Sequence, residues 1–314
     1  MPVLNEENYL AAAVQAILDQ NYPGGMSIAL AIGPSRDRTQ QVAEELAAKD
    51  SRIVVVANPT GRTPDGLNAA IAATTQDIVV RVDAHCELSS GYIETAIETL
   101  NRTGADNVGG VMAAVGQTKF EQAVAAAMRS PLGVGAASFH TGGQEGPADT
   151  VYLGVFRRSA LERVGGYDPH FTRAQDWEMN FRIRETGGTV WFNPQLQVTY
   201  RPRPTLRKLA KQYFEYGLWR REVMRTHPET TSGKSALRYF APPLAVAGSL
   251  VGLLLGLAGF TWAFIAPLGY LAIETLASLS LLRSAKRGWF YVPLVLLTMH
   301  WSWGTGFIVS RPKR

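Results

Sequence analysis

The sequence predicts an α/β domain with a mostly parallel sheet, followed by a membrane domain of apolar segments. Two observations predict this arrangement. Short apolar runs alternate with helical patterns along the first two-thirds of the 314 residues, which is typical of βαβ units. From Tyr239 onward the chain is overwhelmingly apolar, and Glu274 is the only acid in that part. The mean hydropathy of -0.03 is therefore an average over two very different regions.

The predicted strands and helices follow one another closely in the first region. Strands are predicted at 2–4, 27–32, 53–57 and 77–82, and helices at 9–18, 39–48 and 67–73. Ligands of parallel sheets bind beyond the carboxyl ends of the strands, so the loops at 5–7, 33–39 and 83–85 are the candidate site. Met1-Pro2-Val3 supplies only the end of a first strand. Either the true start lies upstream or this strand is unusually short, and we favour the first alternative.

The apolar region divides into three segments, at about 242–259, 260–282 and 289–309, each close to the ~20 residues that cross a bilayer. Basic residues at 283–287 agree with a cytoplasmic loop. A third crossing would export the basic residues 311–314, so a re-entrant or interfacial third segment stays open. An amphipathic stripe from Thr205 predicts a helix, either packed on the domain or lying in the membrane interface. The predicted domains are therefore 1–204, 205–238 and 239–314.

Charge and cysteine content restrict the possible partners and the compartment. The net charge is +5, but much of the basic excess flanks the apolar segments, which favours lipid headgroups over nucleic acid. Cys86 is the only cysteine, so no intrachain disulfide forms and a reducing compartment is expected. No signal peptide is recognisable before the first strand. We therefore predict a multi-pass cell-membrane protein with a cytoplasmic catalytic domain and no nucleic-acid partner.

Asp83-Ala84-His85 follows an apolar strand and could bind one divalent cation. A carboxylate and an imidazole two residues apart at a strand end can both reach into the same cleft. A metal there would neutralise a diphosphate and act as a Lewis acid while the leaving group develops charge. The competing interpretation is a plain surface turn, which is common for such a triplet.

Two other acidic segments are ambiguous in the same way. Asn5-Glu6-Glu7 could contact a nucleotide base, or it could simply start a helix with acids in its first turn. Asp176 opens a predicted helix whose residues Trp177 and Phe181 share one face. A carboxylate in a first helical turn is stabilised as the anion, which suits a general base and equally suits a structural helix start.

Six motifs in order provide more specific information: P-V-L-N-E-E, S-R-D-R-T, G-L-N-A-A-I, R-V-D-A-H, G-G-Y-D and Q-D-W-E-M-N-F-R. In this order they resemble family 2 glycosyltransferases of the GT-A fold. More narrowly, they resemble bacterial exopolysaccharide glucosyltransferases of the succinoglycan type. The resemblance covers about residues 2–225, and such relatives also carry carboxy-terminal membrane segments.

The resemblance implies a role for particular residues. Asp83 and His85 occupy the D-x-D motif, which holds Mg²⁺ or Mn²⁺ on the nucleotide diphosphate. Asp176 occupies the position of the base that deprotonates the acceptor hydroxyl. The residues that the resemblance places at the nucleotide and donor pocket are Pro2, Asn5, Glu6, Asn68, Arg81 and Asp83.

The departures from the family pattern affect the donor more than the fold. The usual D-D-G-S after the second strand is Ile32-Gly33-Pro34-Ser35, so an acid that often reads uracil is absent, although Asp37 follows. His85 replaces the second acid of the metal motif, and histidine is a good ligand for Mn²⁺. The donor base therefore stays open, with UDP-sugars as the first expectation.

The resemblance implies an inverting hexosyltransferase. One in-line displacement would move a hexose, glucose first, from a nucleotide sugar to a lipid-linked acceptor in exopolysaccharide or cell-envelope assembly. Transfer to polyprenyl phosphate itself is an alternative within the enzymes. A non-catalytic scaffold protein of an envelope complex is the alternative from another class.

Overall fold

The computed structural model describes residues 1–20, 22–135, 137–231 and 234–312, with only the backbone described for 234–238. Lys313 and Arg314, which the charge argument used, lie outside the described residues. The chain forms two compact units. Unit 1 contains Met1–Ala113 and Gly142–Tyr200, and unit 2 contains Ala114–Thr141 and the residues from Arg201 onward. The predicted domains, 1–204, 205–238 and 239–314, do not include this grouping of Ala114–Thr141 with the C-terminal helices. That predicted division of the chain stays a prediction.

The first half of unit 1 contains the parallel sheet. Its elements are β1 (Pro2–Val3), α1 (Leu10–Leu18), β2 (Ile28–Ile32), α2 (Thr39–Lys49), β3 (Ile53–Ala57) and α3 (Thr63–Ala72). The strand order is β1-β2-β3, and both neighbouring pairs are parallel. All five residues of β2 are buried, as a central parallel strand covered on both faces requires. These elements agree with the predicted βαβ pattern.

The rest of unit 1 forms a second, six-stranded sheet. Its strands are β4 (Ile78–Val80), β5 (Glu87–Leu88), β6 (Asn107–Ala114), β7 (Gly146–Pro147), β8 (Tyr152–Arg157) and β9 (Val190–Tyr200). The order is β4-β8-β6-β9-β5, with β7 also on β9, and β4 pairs with β8 antiparallel. Expecting β4 to continue one parallel sheet was therefore wrong. The two residues of β1 pair with Ala31 and Ile32 of β2, at one edge of the first sheet.

A cavity of about 430 Å³ lies beside both sheets of unit 1. Ile28 and Ala29 of β2 and Ile78–Val80 of β4 contribute to its largely apolar lining. The remaining helices of unit 1 are α4 (Tyr92–Thr103), α8 (Arg158–Arg163) and α9 (Gln175–Glu185). The side chains of Leu30, Leu100 and Leu196 are fully buried and belong to the core that joins helices to sheets.

Unit 2 is helical in its described residues. Its helices are α5 (Lys119–Met128), α6 (Pro131–Val134), α7 (Ser138–Thr141), α10 (Leu206–Thr226), α11 (Lys234–Leu257), α12 (Ile265–Leu279) and α13 (Val292–Val309). Three segments are long and apolar enough to cross a membrane: Tyr239–Leu257, Thr261–Leu279 and Lys286–Val309. Leu257, Ile265 and Ile273 are among the apolar side chains at least two-thirds exposed, as a lipid-facing surface requires.

Helix α10 packs directly against α13. A Cβ atom built on Gly217 would lie 2.0 Å from the carbonyl oxygen of Trp303, and one on Gly306 would lie 2.1 Å from that of Phe214. Glycine at both positions lets the two backbones approach, as in small-residue contacts between membrane helices. The predicted amphipathic helix is thus confirmed, and it packs on a candidate membrane span. Its location in the membrane interface stays a prediction.

The single acid of the apolar region is paired inside unit 2. Glu274 Oε1 lies 2.6 Å from His300 Nδ1, joining α12 to α13. His300 Nε2 lies 2.7 Å from the carbonyl oxygen of Leu132 in α6. A buried polar network of this kind compensates for charge placed among apolar helices. It is one of the contacts between Ala114–Thr141 and the C-terminal helices, together with the edge-to-face rings of Phe120 and Tyr291.

Candidate active site

The predicted metal motif lies in a turn directly after β4. The Cys86 amide donates to the carbonyl oxygen of Asp83 at 3.0 Å and closes this turn. Val82, Ala84 and Cys86 are buried in the core, so the alternate side chains Asp83 and His85 point away from it. Asp83-Ala84-His85 therefore forms a turn, and this turn presents both candidate metal ligands. The interpretation as a turn and the interpretation as a metal site do not exclude each other.

Arg81 connects two of the predicted site carboxylates. Its side chain is only 5% exposed. Its Nη2 lies 3.1 Å from Asp83 Oδ1, and its Nη1 forms an ion pair with Asp176. Because one guanidinium contacts both acids, residues almost a hundred positions apart in the chain lie at one place. The predicted metal ligand and the predicted base are thus neighbours.

Asp176 occupies the first turn of α9, as the sequence predicted. Ala174 precedes the helix with a φ of 60°, a left-handed conformation uncommon for a residue other than glycine. Trp177 and Phe181 stack with ring centroids 5.6 Å apart and an interplanar angle of 6°, which confirms that they share a face. Glu178 is buried and bonds to Arg182 at 2.6 Å, so this second acid of the turn is structural.

His85 and Glu6 form a contact that the sequence did not predict. His85 Nδ1 lies 3.0 Å from Glu6 Oε1. This contact brings the loop after β1 to the loop after β4. Both residues were assigned to the site separately, one to the metal and one to the nucleotide. The only signal available was that both follow strands of one predicted sheet.

The loop after β1 is held by the loop after β2. Asn5 has a φ of 55°, and its Oδ1 accepts a hydrogen bond from the Arg36 amide at 2.8 Å. The Glu6 amide donates to Thr39 Oγ1 at 2.8 Å. The alternative that these acids open a helix is wrong, because α1 begins at Leu10 and has no acid in its first turn.

Asp37 stabilises this same pair of loops. Its Oδ1 accepts from Thr39 Oγ1 at 2.5 Å, and this bond lowers the pKa of the Asp37 carboxyl. Its Oδ2 accepts from the Glu7 amide at 3.3 Å. Asp37, to which the sequence resemblance gave no definite role, therefore orders the loop that carries Asn5 and Glu6.

Asn68 and Pro2 both have packing roles in unit 1. Asn68 Nδ2 donates to the carbonyl oxygen of Tyr167 at 2.7 Å, and its Oδ1 accepts from the Tyr167 amide at 2.9 Å. A Cβ atom on Gly66 would lie 3.1 Å from Pro2 Cβ, so α3 passes very close to β1. These contacts explain the G-L-N motif physically, and the roles of Asn68 and Pro2 towards a donor stay predictions.

The electrostatics around Asp83 keep it ionised. Burial by itself would raise the pKa of its carboxyl, but the nearby charges of Arg81 and His85 outweigh burial and lower it. Burial would likewise lower the pKa of the Arg81 guanidinium, yet Asp83 raises it overall. Next in the chain, burial raises the pKa of the Cys86 thiol to about 12. The turn therefore presents a carboxylate but no reactive thiolate.

The chemistry of the donor set is compatible with Mg²⁺ or Mn²⁺. Asp83 supplies oxygen and His85 supplies nitrogen, a set that Mn²⁺ accepts readily. No group of three or more His, Cys, Asp or Glu side chains suited to a metal occurs in the described ranges. Magnesium typically uses one or two carboxylates and completes its shell with water and substrate phosphates. A metal here would therefore depend on the donor diphosphate for its remaining ligands.

The sequence matches a known family over the part that contains this site. Residues 1–165, more than half of the chain, match the family described as Glycosyl transferase family 2. The chain belongs to glycosyl transferase family 2. The predicted family is thus confirmed, and the protein is a glycosyltransferase by family and fold.

Curated relatives of this family 2 member act in polysaccharide or lipid-linked sugar assembly. The chain is 31% identical over 312 residues to the succinoglycan biosynthesis protein ExoA of Rhizobium meliloti (strain 1021), covering 98% of this chain and 92% of the relative. It is 25% identical over 226 residues to a Methanococcus voltae protein, covering 69% and 70%. That protein is described as a dolichyl N-acetyl-alpha-D-glucosaminyl phosphate 3-beta-D-2,3-diacetamido-2,3-dideoxy-beta-D-glucuronosyltransferase.

A solved structure confirms the predicted GT-A fold. The mannosyltransferase PcManGT from Pyrobaculum calidifontis, in complex with GDP-Man and Mn²⁺, matches with a TM-score of 0.60. The match covers 95% of this chain and 84% of that one at 18% identity. At this identity the likeness establishes the fold alone.

Proposed function

We propose that this protein transfers a hexose, glucose first, from a nucleotide sugar to a lipid-linked acceptor with inversion at the anomeric carbon. The observation that carries the proposal is the Arg81 guanidinium, which holds Asp83 and Asp176 together at the ends of two separate elements. A metal-binding acid and a general base must flank one reaction centre, and the shared contact with Arg81 supports this arrangement for Asp83 and Asp176.

In the proposed reaction Asp176 accepts the proton of the acceptor hydroxyl while that oxygen attacks the anomeric carbon. The ion pair with Arg81 requires the ionised carboxylate, which is the form that a base needs. Asp83 and His85 would hold Mg²⁺ or Mn²⁺, and the bound ion would supply positive charge to the departing diphosphate. A single displacement inverts the configuration, so an α-linked donor gives a β-linked product.

Two observations support a lipid-linked acceptor and a membrane location. Three helical segments are long and apolar enough to cross a membrane. Two relatives are described as a succinoglycan biosynthesis protein and as a transferase acting on a dolichyl phosphate-linked sugar. We propose that the catalytic unit faces the cytoplasm, where nucleotide sugars are made. The basic residues at 283–287 between two candidate spans favour that side.

The donor is tested by screening nucleotide sugars with the full chain in membranes. We expect metal-dependent release of nucleoside diphosphate, first from UDP-glucose, then UDP-galactose, then GDP-mannose. Asp83→Ala should abolish release because it removes a metal ligand. Since the protein supplies only two such ligands, Mn²⁺ should bind tightly only when the donor is present, which calorimetry with and without UDP-glucose measures.

The base is tested by Asp176→Asn. Transfer should fall by about 10²–10⁴-fold because the proton acceptor is lost. The change also removes the charge that pairs with Arg81, so the loss is assigned to the base only if donor binding and the unfolding midpoint are retained. Asp149→Asn is the matched control, since Asp149 is an exposed acid of unit 1 with a weak 3.7 Å contact to Arg184. Unchanged transfer by Asp176→Asn would remove Asp176 from the proposed role. A product carrying one sugar on polyprenyl phosphate, made without a glycolipid acceptor, would replace the proposed acceptor class.

A further inference from the structure

Unit 2 contains a small polar cavity lined by two basic side chains. The cavity has a volume of about 100 Å³, more than one water molecule fills. Arg129, at the end of α5, and Lys286, just before α13, both line it. Ser284 and Gln122 also line it. It therefore joins a helix of the segment Ala114–Thr141 to the connection between two candidate membrane spans.

The positive charge of this cavity is not neutralised by the protein. Within the described parts of the chain, no carboxylate lies within ion-pair distance of Arg129 or Lys286. The acid nearest in sequence is Glu121, and its Oε2 is occupied by the amides of Gln117 and Thr118, each at 2.9 Å. Two cations that share a small polar cavity repel each other, so an anion between them is favourable.

The other polar side chain of α5 at this cavity offers no charge to an anion. Gln122 is half-buried, and its Nε2 lies 3.5 Å from the carbonyl oxygen of Gln117. Its Oε1 is shielded from solvent, so a group in the cavity does not reach it. Arg129 and Lys286 are both exposed and are therefore the two groups that would hold an anion here.

The position of the cavity along the chain indicates a lipid. Lys286 is the first residue of the candidate span Lys286–Val309. Trp289 and Phe290 follow it and are 54% and 46% exposed. Aromatic side chains beside basic residues at the end of a span lie at the level of the lipid headgroups. A soluble anion would not require this placement.

We propose that the cavity of Arg129 and Lys286 binds the headgroup of an anionic phospholipid, for which phosphatidylglycerol is the test lipid. The phosphate of the lipid lies between Arg129 and Lys286. Basic pockets at the ends of membrane helices bind lipid headgroups by the same charge attraction. The site does not depend on the glycosyl transfer proposed above.

The test measures lipids retained by the full chain, purified in mild detergent, by native mass spectrometry. We expect retention of phosphatidylglycerol over phosphatidylcholine. Arg129→Gln combined with Lys286→Gln should weaken that preference about thirtyfold, equivalent to about 2 kcal/mol at ~1 kcal/mol per basic residue. Lys49→Gln with Arg52→Gln, two exposed basic residues of unit 1, is the control with the same charge change and should retain the preference.

Further measurements distinguish the ligands that could bind in the cavity. The charge-preserving exchange of Arg129→Lys with Lys286→Arg should keep the preference, and added salt should weaken phosphatidylglycerol retention by the unsubstituted protein. These two results test the proposal even if the double glutamine variant does not fold. An unchanged preference in that variant, or an equal loss in the control, would overturn the proposal. So would tighter binding of inorganic phosphate or of polyprenyl phosphate.

Discussion

The two units of this glycosyltransferase place charge and backbone differently. In unit 1 the buried guanidinium of Arg81 is paired with Asp83 and Asp176, and the contact holds elements far apart in sequence. In unit 2 the backbones of α10 and α13 approach closely at Gly217 and Gly306, and the buried pair of Glu274 and His300 joins α12 to α13. Buried charge therefore organises the site of unit 1. In unit 2 steric fit at glycine lets α10 and α13 pack, because apolar solvent gives helix association no hydrophobic driving force.

Removing Arg81 should have the largest effect on stability. Arg81→Gln leaves two carboxylates near each other without their cation, and breaking a buried ion pair costs about 3–5 kcal/mol. Arg207→Gln is the matched control from unit 2, where loss of an exposed charge on α10 should change stability by no more than about 0.5 kcal/mol. The midpoint of thermal unfolding of the detergent-solubilised full chain measures both. Equal midpoints for the two variants would show that Arg81 is not an organising charge.

Gly306→Ala should have the next largest effect. The new methyl group would meet the carbonyl oxygen of Phe214, so α10 and α13 must separate, which costs about 1–3 kcal/mol. Gly269→Ala in α12 is the control, because its Cβ atom would meet nothing within 4 Å. There alanine should stabilise the helix by up to about 1 kcal/mol. Opposite shifts of the unfolding midpoint are expected, and a fall in both would contradict steric fit as the cause.

The elements of unit 1 could be predicted from the sequence more readily than its contacts. Apolar runs located β2, β3 and β4 to within two residues at either end. Periodicity is a local property, so it carries no information about which distant side chains meet. The bond of Glu6 to His85 and the double contact of Arg81 connect segments separated by 79 and 95 residues, respectively, and follow only from the folded chain.

The grouping of Ala114–Thr141 with the C-terminal helices had no recognisable sequence signal either. This segment contains the alanine-rich helix α5, whose residues Ala123–Ala127 are buried. A run of small apolar residues is equally suited to packing on a sheet or on other helices. The contacts that distinguish the two possibilities join distant parts of the chain: Phe120 meets Tyr291 edge to face, and His300 reaches the carbonyl oxygen of Leu132. No local motif records such contacts.

Asn68→Ala should have a smaller effect than Arg81→Gln and one of about the same size as Gly306→Ala, confined to unit 1. It removes both hydrogen bonds to the Tyr167 backbone and leaves a partly buried amide and carbonyl without partners, at about 2 kcal/mol. Gln40→Ala on α2 is the control, since the Gln40 side chain donates to the exposed Glu44 one helical turn away. If Asn68→Ala weakens donor binding in proportion to its loss of stability, its role is to position the loop. A loss of donor binding at unchanged stability would instead indicate direct contact with the donor.

Chemical labelling of Cys86 probes the turn of the metal motif with the least change to the protein. The thiol is 1% exposed, and burial raises its pKa to about 12. An acid with a raised pKa forms its anion only at higher pH, and the thiolate is the species that alkylating reagents attack. Iodoacetamide at neutral pH should therefore not label the native chain within the time that labels the unfolded chain completely. Because Cys86 is the only cysteine, the unfolded chain is its own control. Rapid labelling of the native protein would mean that the turn between Asp83 and Cys86 opens readily. In that case the ion pairs of Arg81 would not hold the site of unit 1 closed.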